Sequence, residues 1–172
     1  QASQAKQGRA IQACVAWCAC FAYFACLALL TAPSVQASHV PPQAQAVLGQ
    51  ATFGIGLVNG GGFTGPNTFA FPWAVATDGK RVYVADYGNH RVLIWNTAHP
   101  ATNQPADIVF GQSNFTASGP NANRGVGPDT MRGPMGIAVD ANNLAVADML
   151  NNRVLVWKNI HAPLGLYTGK PA

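Results

Sequence analysis

VADYGNHRVLIW, residues 84–95, and VADMLNNRVLVW, residues 146–157, are one phrase written twice, 62 residues apart. Each copy is a short Val-rich run, an Asp, a polar break and a second Val-rich run. Such runs bounded by Gly, Asn and Asp read as two strands joined by a tight turn. Working outward, the register holds without a gap: residues 47–95 match residues 109–157 at 19 of 49 positions. VLGQ at 47–50 meets VFGQ at 109–112, Phe53 meets Phe115, and Gly65-Pro66 meets Gly127-Pro128. PWAVATD at 72–78 meets PMGIAVD at 134–140. A fixed period of this kind marks stacked units, each unable to bury its own apolar face alone.

Each unit reads as four short strands. They are residues 74–77, 81–85, 91–95 and 107–111 in the first copy. The second copy has 136–139, 143–147 and 153–157, and residues 46–49 are an earlier copy of the fourth strand. Asp78-Gly79-Lys80 and Asp140-Ala141-Asn142 are the tight connections between the first two strands. Val82 and Val84 share one side of a strand, Tyr83 and Ala85 the other. Strands apolar on both sides are sandwiched between layers rather than half-solvated. Four-stranded antiparallel sheets stacked face to face around an axis make a β-propeller, so the expected class is all-β. GIGLVNGGGFTGPN, residues 54–67, and TASGPNANRGVGPD, residues 116–129, read as long loops between units.

Composition agrees. The chain has no Glu, and Gly and Pro together make 30 of 172 residues, which argues against a helical bundle. Charged residues are 9%, against ~25% in ordinary soluble domains. The four cysteines are Cys14, Cys18, Cys20 and Cys26, so the repeats carry no disulfide framework. Those cysteines sit in an apolar run, residues 11–30, that follows Lys6 and Arg9 and precedes the small-residue stretch TAPSVQAS. That order is a secretory signal with an expected cut after Ala37. The run is also long enough for an uncleaved membrane anchor through residues 11–31. The expected organisation is a signal peptide or anchor at 1–37, beginning with an apolar helix, a linker at 38–45 and a propeller fragment at 46–172. The repeat units fall at about 47–108 and 109–170. Without residues 1–37 the balance is eight Lys and Arg against six Asp, too even to imply nucleic acid.

The pattern P-x-G-[IV]-A-V-D followed by V-A-D-x-x-N-x-R-V resembles the NHL repeat, whose members form β-propellers, commonly six-bladed. The resemblance covers residues 44–172, and the VLGQ phrase and long period look like an exported bacterial subgroup. It implies two neighbouring blades of a larger ring, the second short of its outer strand. The remaining blades would come from a longer chain or from symmetry copies. It also implies two functional readings. One is a non-catalytic scaffold binding a protein, a glycan or a small molecule. The other is a fragment of a metal-dependent enzyme, similar to peptidyl-α-hydroxyglycine lyases or lactonases, with its catalytic residues in other blades. No cofactor is expected for this stretch; calcium or zinc belongs to the full-length alternative.

Residues that recur read as fasteners, because a catalytic group is needed once and a structural clamp in every blade. Asp86 with Arg91, and Asp148 with Arg153, bracket the hairpin corner and are expected to pair, in bidentate geometry where the fork fits. Asn89 and Asn151 suit a left-handed or Asx turn there. Trp95 and Trp157 are expected between blades, and Gln50 and Gln112 on backbone groups of the next blade. Residues that do not recur are the ligand candidates: Trp73, Tyr87, His90, Arg124 and Arg132, with Lys80 and Arg81 weaker. No Gly-x-Ser-x-Gly elbow, phosphate loop or metal-ligand spacing among His39, His90, His99 and His161 is present. The sequence therefore names no catalytic residue and no metal ligand.

Overall fold

The structure, a computed structural model, describes residues 42–160. The signal or anchor at 1–37, the cut after Ala37, the four cysteines, His39, His161 and the last part of the second unit lie outside the described residues. The chain divides into compact units Gln1–Pro42 and Gln43–Ala172, and the fold below belongs to the second. No helix among the described residues is long and apolar enough to cross a membrane.

The fold is all-β, in two antiparallel sheets. The first has four strands in sequential order: β1 (Pro72–Thr77), β2 (Val82–Asp86), β3 (Arg91–Trp95) and β4 (Ile108–Phe110). The second has three: β5 (Pro134–Val139), β6 (Asn143–Asp148) and β7 (Arg153–Lys158). Equivalent strands share the 62-residue offset and the same register. Asp86 faces Arg91 and Asp148 faces Arg153, with the same bulge at Pro72/Ala74 and Pro134/Gly136. This is the arrangement of successive β-propeller blades.

The two-sided apolar pattern of the strands produces two cores. Tyr83, Val92, Ile94, Ile108 and Phe110 on one side of the first sheet pack against Leu144, Val146, Ile137, Leu155 and Trp157 of the second. The opposite side of the first sheet, with Val82, Val84, Leu93, Trp95 and Val109, is covered by Leu48, Phe69 and Phe115. Trp157 thus packs between the sheets, its ring centroid 5.2 Å from that of Phe110. Trp95 packs instead against Phe69, edge-on at 6.0 Å, and its Nε1 donates to Gln104 O at 2.9 Å.

One expected strand is not formed. Residues 46–49 carry the right sequence, but among the described residues no strand lies beside them to complete a ladder. Their backbone is used otherwise: Val47 O accepts Asn103 N–H at 2.8 Å. A strand is a pairing, and a lone segment with strand propensity stays irregular. The long loops each contain a short 3-10 turn, Val58–Gly61 and Pro120–Asn123.

Candidate functional site

The hairpin corner between β2 and β3 is built around Asp86. Its Oδ2 accepts Arg91 Nε at 2.8 Å and Asn89 Nδ2 at 2.8 Å, and its Oδ1 accepts Ala70 N–H at 2.7 Å. The pair is fully buried. Burial pushes the Asp86 carboxyl up from its ordinary value, while Arg91, Asn89 and the Ala70 N–H pull the other way. Burial lowers Arg91 in turn, and Asp86 opposes it. The contact is not the bidentate fork the sequence suggests. Only Nε reaches the carboxylate, because Nη2 turns to Gly65 O and Thr68 O, both at 2.9 Å, and Nη1 to Phe115 O. One guanidinium therefore ties its own corner to the loop before the sheet and to the loop after it.

The second sheet repeats this chemistry. Arg153 Nε meets Asp148 Oδ2 at 2.8 Å, Asn151 Nδ2 meets the same oxygen at 2.8 Å, and Arg132 N–H meets Oδ1 at 2.6 Å. Arg153 Nη2 reaches Gly127 O and Thr130 O at 2.8 and 2.7 Å. Its side chain is 26% exposed where that of Arg91 is 0%.

Asn89 and Asn151 are not the left-handed residues of these corners. They close the one-turn 3-10 segments Tyr87–Asn89 and Met149–Asn151, and the positive φ falls one residue later, at His90 (57°) and Asn152 (52°). Their amides are spent on Asp86 and Asp148, and on a second asparagine pair that the loop reading of the sequence misses. Asn89 Nδ2 donates to Asn59 Oδ1 at 2.9 Å, and Asn151 Nδ2 to Asn121 Oδ1 at 2.7 Å. The signal was available, since Asn59 and Asn121 are themselves 62 apart.

Gln112 Nε2 donates to Asn89 O and His90 O of its own sheet's corner and to Gly119 O of the following loop, at 3.1, 3.2 and 2.9 Å. It is thus a brace across the outer edge rather than a bond to the next sheet alone. Gln50 Nε2 donates to Leu57 O at 2.7 Å. Oε1 of both glutamines is buried without a protein partner.

Four of the five candidate ligand residues gather at this corner. Trp73, 58% exposed, lies 5.7 Å from Tyr87 between ring centroids. Phe71 is exposed beside Gly88, with its backbone at φ 56°. Tyr87 and His90 both reach the start of the second unit. The Tyr87 ring lies against Gly133, and His90 Nδ1 accepts Gly133 N–H at 3.1 Å. An accepting Nδ1 makes the neutral imidazole carry its proton on Nε2. Burial, and then the Arg132 charge, lower the His90 pKa from its ordinary 6.5. Arg124 is engaged elsewhere, in an exposed ion pair with Asp129 at 3.0 Å. Arg81 Nη1 donates to Ile160 O at 2.8 Å, and Lys80 lines a shallow cleft with Asp78, Ala141 and Asn142.

Among the described residues no three His, Cys, Asp or Glu side chains stand close enough together to hold a metal ion. No curated protein matches the chain. The family model of the NHL repeat matches residues 69–95, the stretch that holds β1 to β3 and the Asp86–Asn89–Arg91 corner. The chain is thus similar to the NHL repeat over residues 69–95, and the same corner chemistry recurs 62 residues on.

Proposed function

We propose that the chain is part of an exported, non-catalytic NHL-type propeller that binds a protein, glycan or small-molecule ligand at the Phe71–Trp73–Tyr87 corner. The observation that carries this reading is a contrast. The repeated polar side chains at the corners are consumed by backbone and by one another, whereas the unrepeated Trp73 is exposed, stacked beside the half-buried Tyr87. Exposed aromatic rings with a polar handle are common anchors for ligands that are apolar on one side. The export half rests on Lys6, Arg9 and the apolar run before Ala37.

The test is tryptophan fluorescence of the full-length protein titrated with oligosaccharide and peptide panels. A ligand is expected to perturb the wild type and to lose most of its effect in Trp73→Ala, with the circular dichroism spectrum unchanged. Equal binding by Trp73→Ala removes the site. Stoichiometric zinc or calcium in the purified protein would overturn the non-catalytic reading in favour of the metal-dependent enzyme.

A further inference from the structure

Asn114-Phe115-Thr116 stands in the loop that follows β4. It is the one place in the chain where a Ser or Thr comes two residues after an Asn. With a residue other than Pro between, that spacing is the acceptor pattern for attaching an oligosaccharide to an asparagine amide. The repeat does not account for it. The 62-residue counterparts are Thr52, Phe53 and Gly54, so the phenylalanine recurs and the two polar residues do not.

The fold divides the three residues in the same way. Phe115 is an anchor: its side chain packs on the core that holds Leu93, Trp95 and Val109, and its carbonyl accepts Arg91 Nη1. Gln112, two residues before Asn114, is buried and braced to the carbonyls of Asn89, His90 and Gly119. Between and beyond these fixed points, Ser113, Asn114 and Thr116 are exposed. The turn is thus held by Gln112 and Phe115 while Asn114 fills no packed site, so a bulky group there costs the core nothing.

The Asn114 side chain is also divided at its own amide. Oδ1 accepts three hydrogen bonds, from Thr116 N–H, from the Thr116 hydroxyl and from Ala117 N–H, each at 2.9 Å. Nδ2 makes none among the described residues, whereas Asn89 and Asn151 spend theirs on carboxylate and amide oxygens at the corners. Donors on Oδ1 stabilise the negative charge that gathers there when Nδ2 gives up a proton, and that loss is what makes an amide nitrogen nucleophilic. The Thr116 hydroxyl supplies one of these donors, which is a physical reason for a hydroxyl residue at this spacing.

We propose that Asn114 is an N-glycosylation site, modified as the chain is exported; this rests on the export proposed above. Nδ2 attacks the anomeric carbon of an oligosaccharide carried on a lipid pyrophosphate. The nitrogen–carbon bond forms, the carbon–oxygen bond to the pyrophosphate breaks, and its electron pair leaves with the lipid pyrophosphate. One Nδ2 proton passes to a carboxylate of the transferase. The glycan is then carried on the turn after β4, fixed in place by the buried residues on either side of its attachment point.

The test is translation of the full chain with vesicles from endoplasmic reticulum, which supply the transferase and dolichyl-pyrophosphate oligosaccharide. The wild type, protected from protease added outside, is expected to show a discrete slower band on a gel. An amidase that releases N-linked glycans should restore the unmodified mobility and leave a carboxylate at position 114, located by mass spectrometry. Asn114→Gln and Thr116→Ala, both at exposed positions, are expected to lose the band, and Thr116→Ser to keep it. A protected wild type without the slower band overturns the proposal, as does a band that Asn114→Gln retains. A wild type that the protease digests has not entered the vesicles, which counts against export. The site is then read on the purified full chain with purified transferase and the same lipid-linked oligosaccharide. Modification there upholds Asn114 as the acceptor, and its absence overturns it.

Discussion

Arg91 and Arg153 hold equivalent corners and differ in their surroundings. Arg91 is fully buried and bonded to Asp86 and to three backbone carbonyls from two loops. Arg153 reaches two carbonyls and is partly solvated. Removing one partner of a buried pair strands the other charge and costs about 3–5 kcal/mol. Arg91→Met is therefore expected to lose stability on that scale, and Arg153→Met distinctly less, in urea unfolding midpoints. Equal losses would show that burial and the third carbonyl contribute nothing. The pairing of Asp with Arg is legible in the sequence, because strand polarity brings positions five apart together across a corner. Its geometry is not, because the fork is shared with Gly65, Thr68 and Phe115, which sequence distance hides. His90 adds a titration at the same corner. Its pKa is lowered in the fold, chiefly by burial, so the unfolded chain takes up a proton first as pH falls. The contribution of neutral His90 is complete above about pH 6.5 and is lost as pH drops below it. An NMR titration of the imidazole should show a midpoint below the ordinary value, and His90→Asn, the residue at the equivalent corner, should flatten the acid side of the stability profile.

At the scale of elements, all seven strands are legible to within about two residues at either end, because Val, Ile and Leu alternate with two buried faces and the turns carry Asp, Gly and Asn. The hairpin turns follow the same chemistry: Asp78 Oδ1 accepts Lys80 N–H at 2.8 Å and Arg81 N–H at 2.7 Å. The short β4 is recognisable but trimmed, since Gly111 leaves the ladder at φ 90°. Residues 46–49 copy β4 in sequence and not in pairing, because the sequence records propensity and not whether a neighbour is present. Gly111 also marks where that strand must end. A Cβ there would lie 2.5 Å from Met131 Cγ, on a backbone that side chains rarely adopt. Gly111→Ala is expected to destabilise by more than about 1 kcal/mol, read as a lower thermal midpoint, and a neutral result would mean that the β4 exit is drawn wrongly. The asparagine pairs Asn59–Asn89 and Asn121–Asn151 went unread because they join a loop to a corner 30 residues away.

For the whole molecule, the 62-residue period carries the stacking of the sheets, and the apolar alternation on both faces explains why neither sheet stands alone. Composition does not reveal which apolar residues are covered. Among the described residues, the exposure of Val75, Val154 and Val156 emerges only when the sheets are seen in contact, because the same residue types are buried at the internal junction. The candidate ligand corner is partly legible for a similar reason. Trp73, Tyr87 and His90 stand out by failing to repeat, whereas Phe71 does so only once its neighbour Gly88 and the exposed Trp73 are placed around it. The most direct test of the stacking is a nuclear Overhauser measurement on the selectively labelled protein, between the Phe110 ring and the Trp157 indole. Cross-peaks between these rings, with Met131 methyl cross-peaks to Gly111, are the predicted result. Their absence in a folded sample, with Phe110 reporting only its own sheet, would contradict the account.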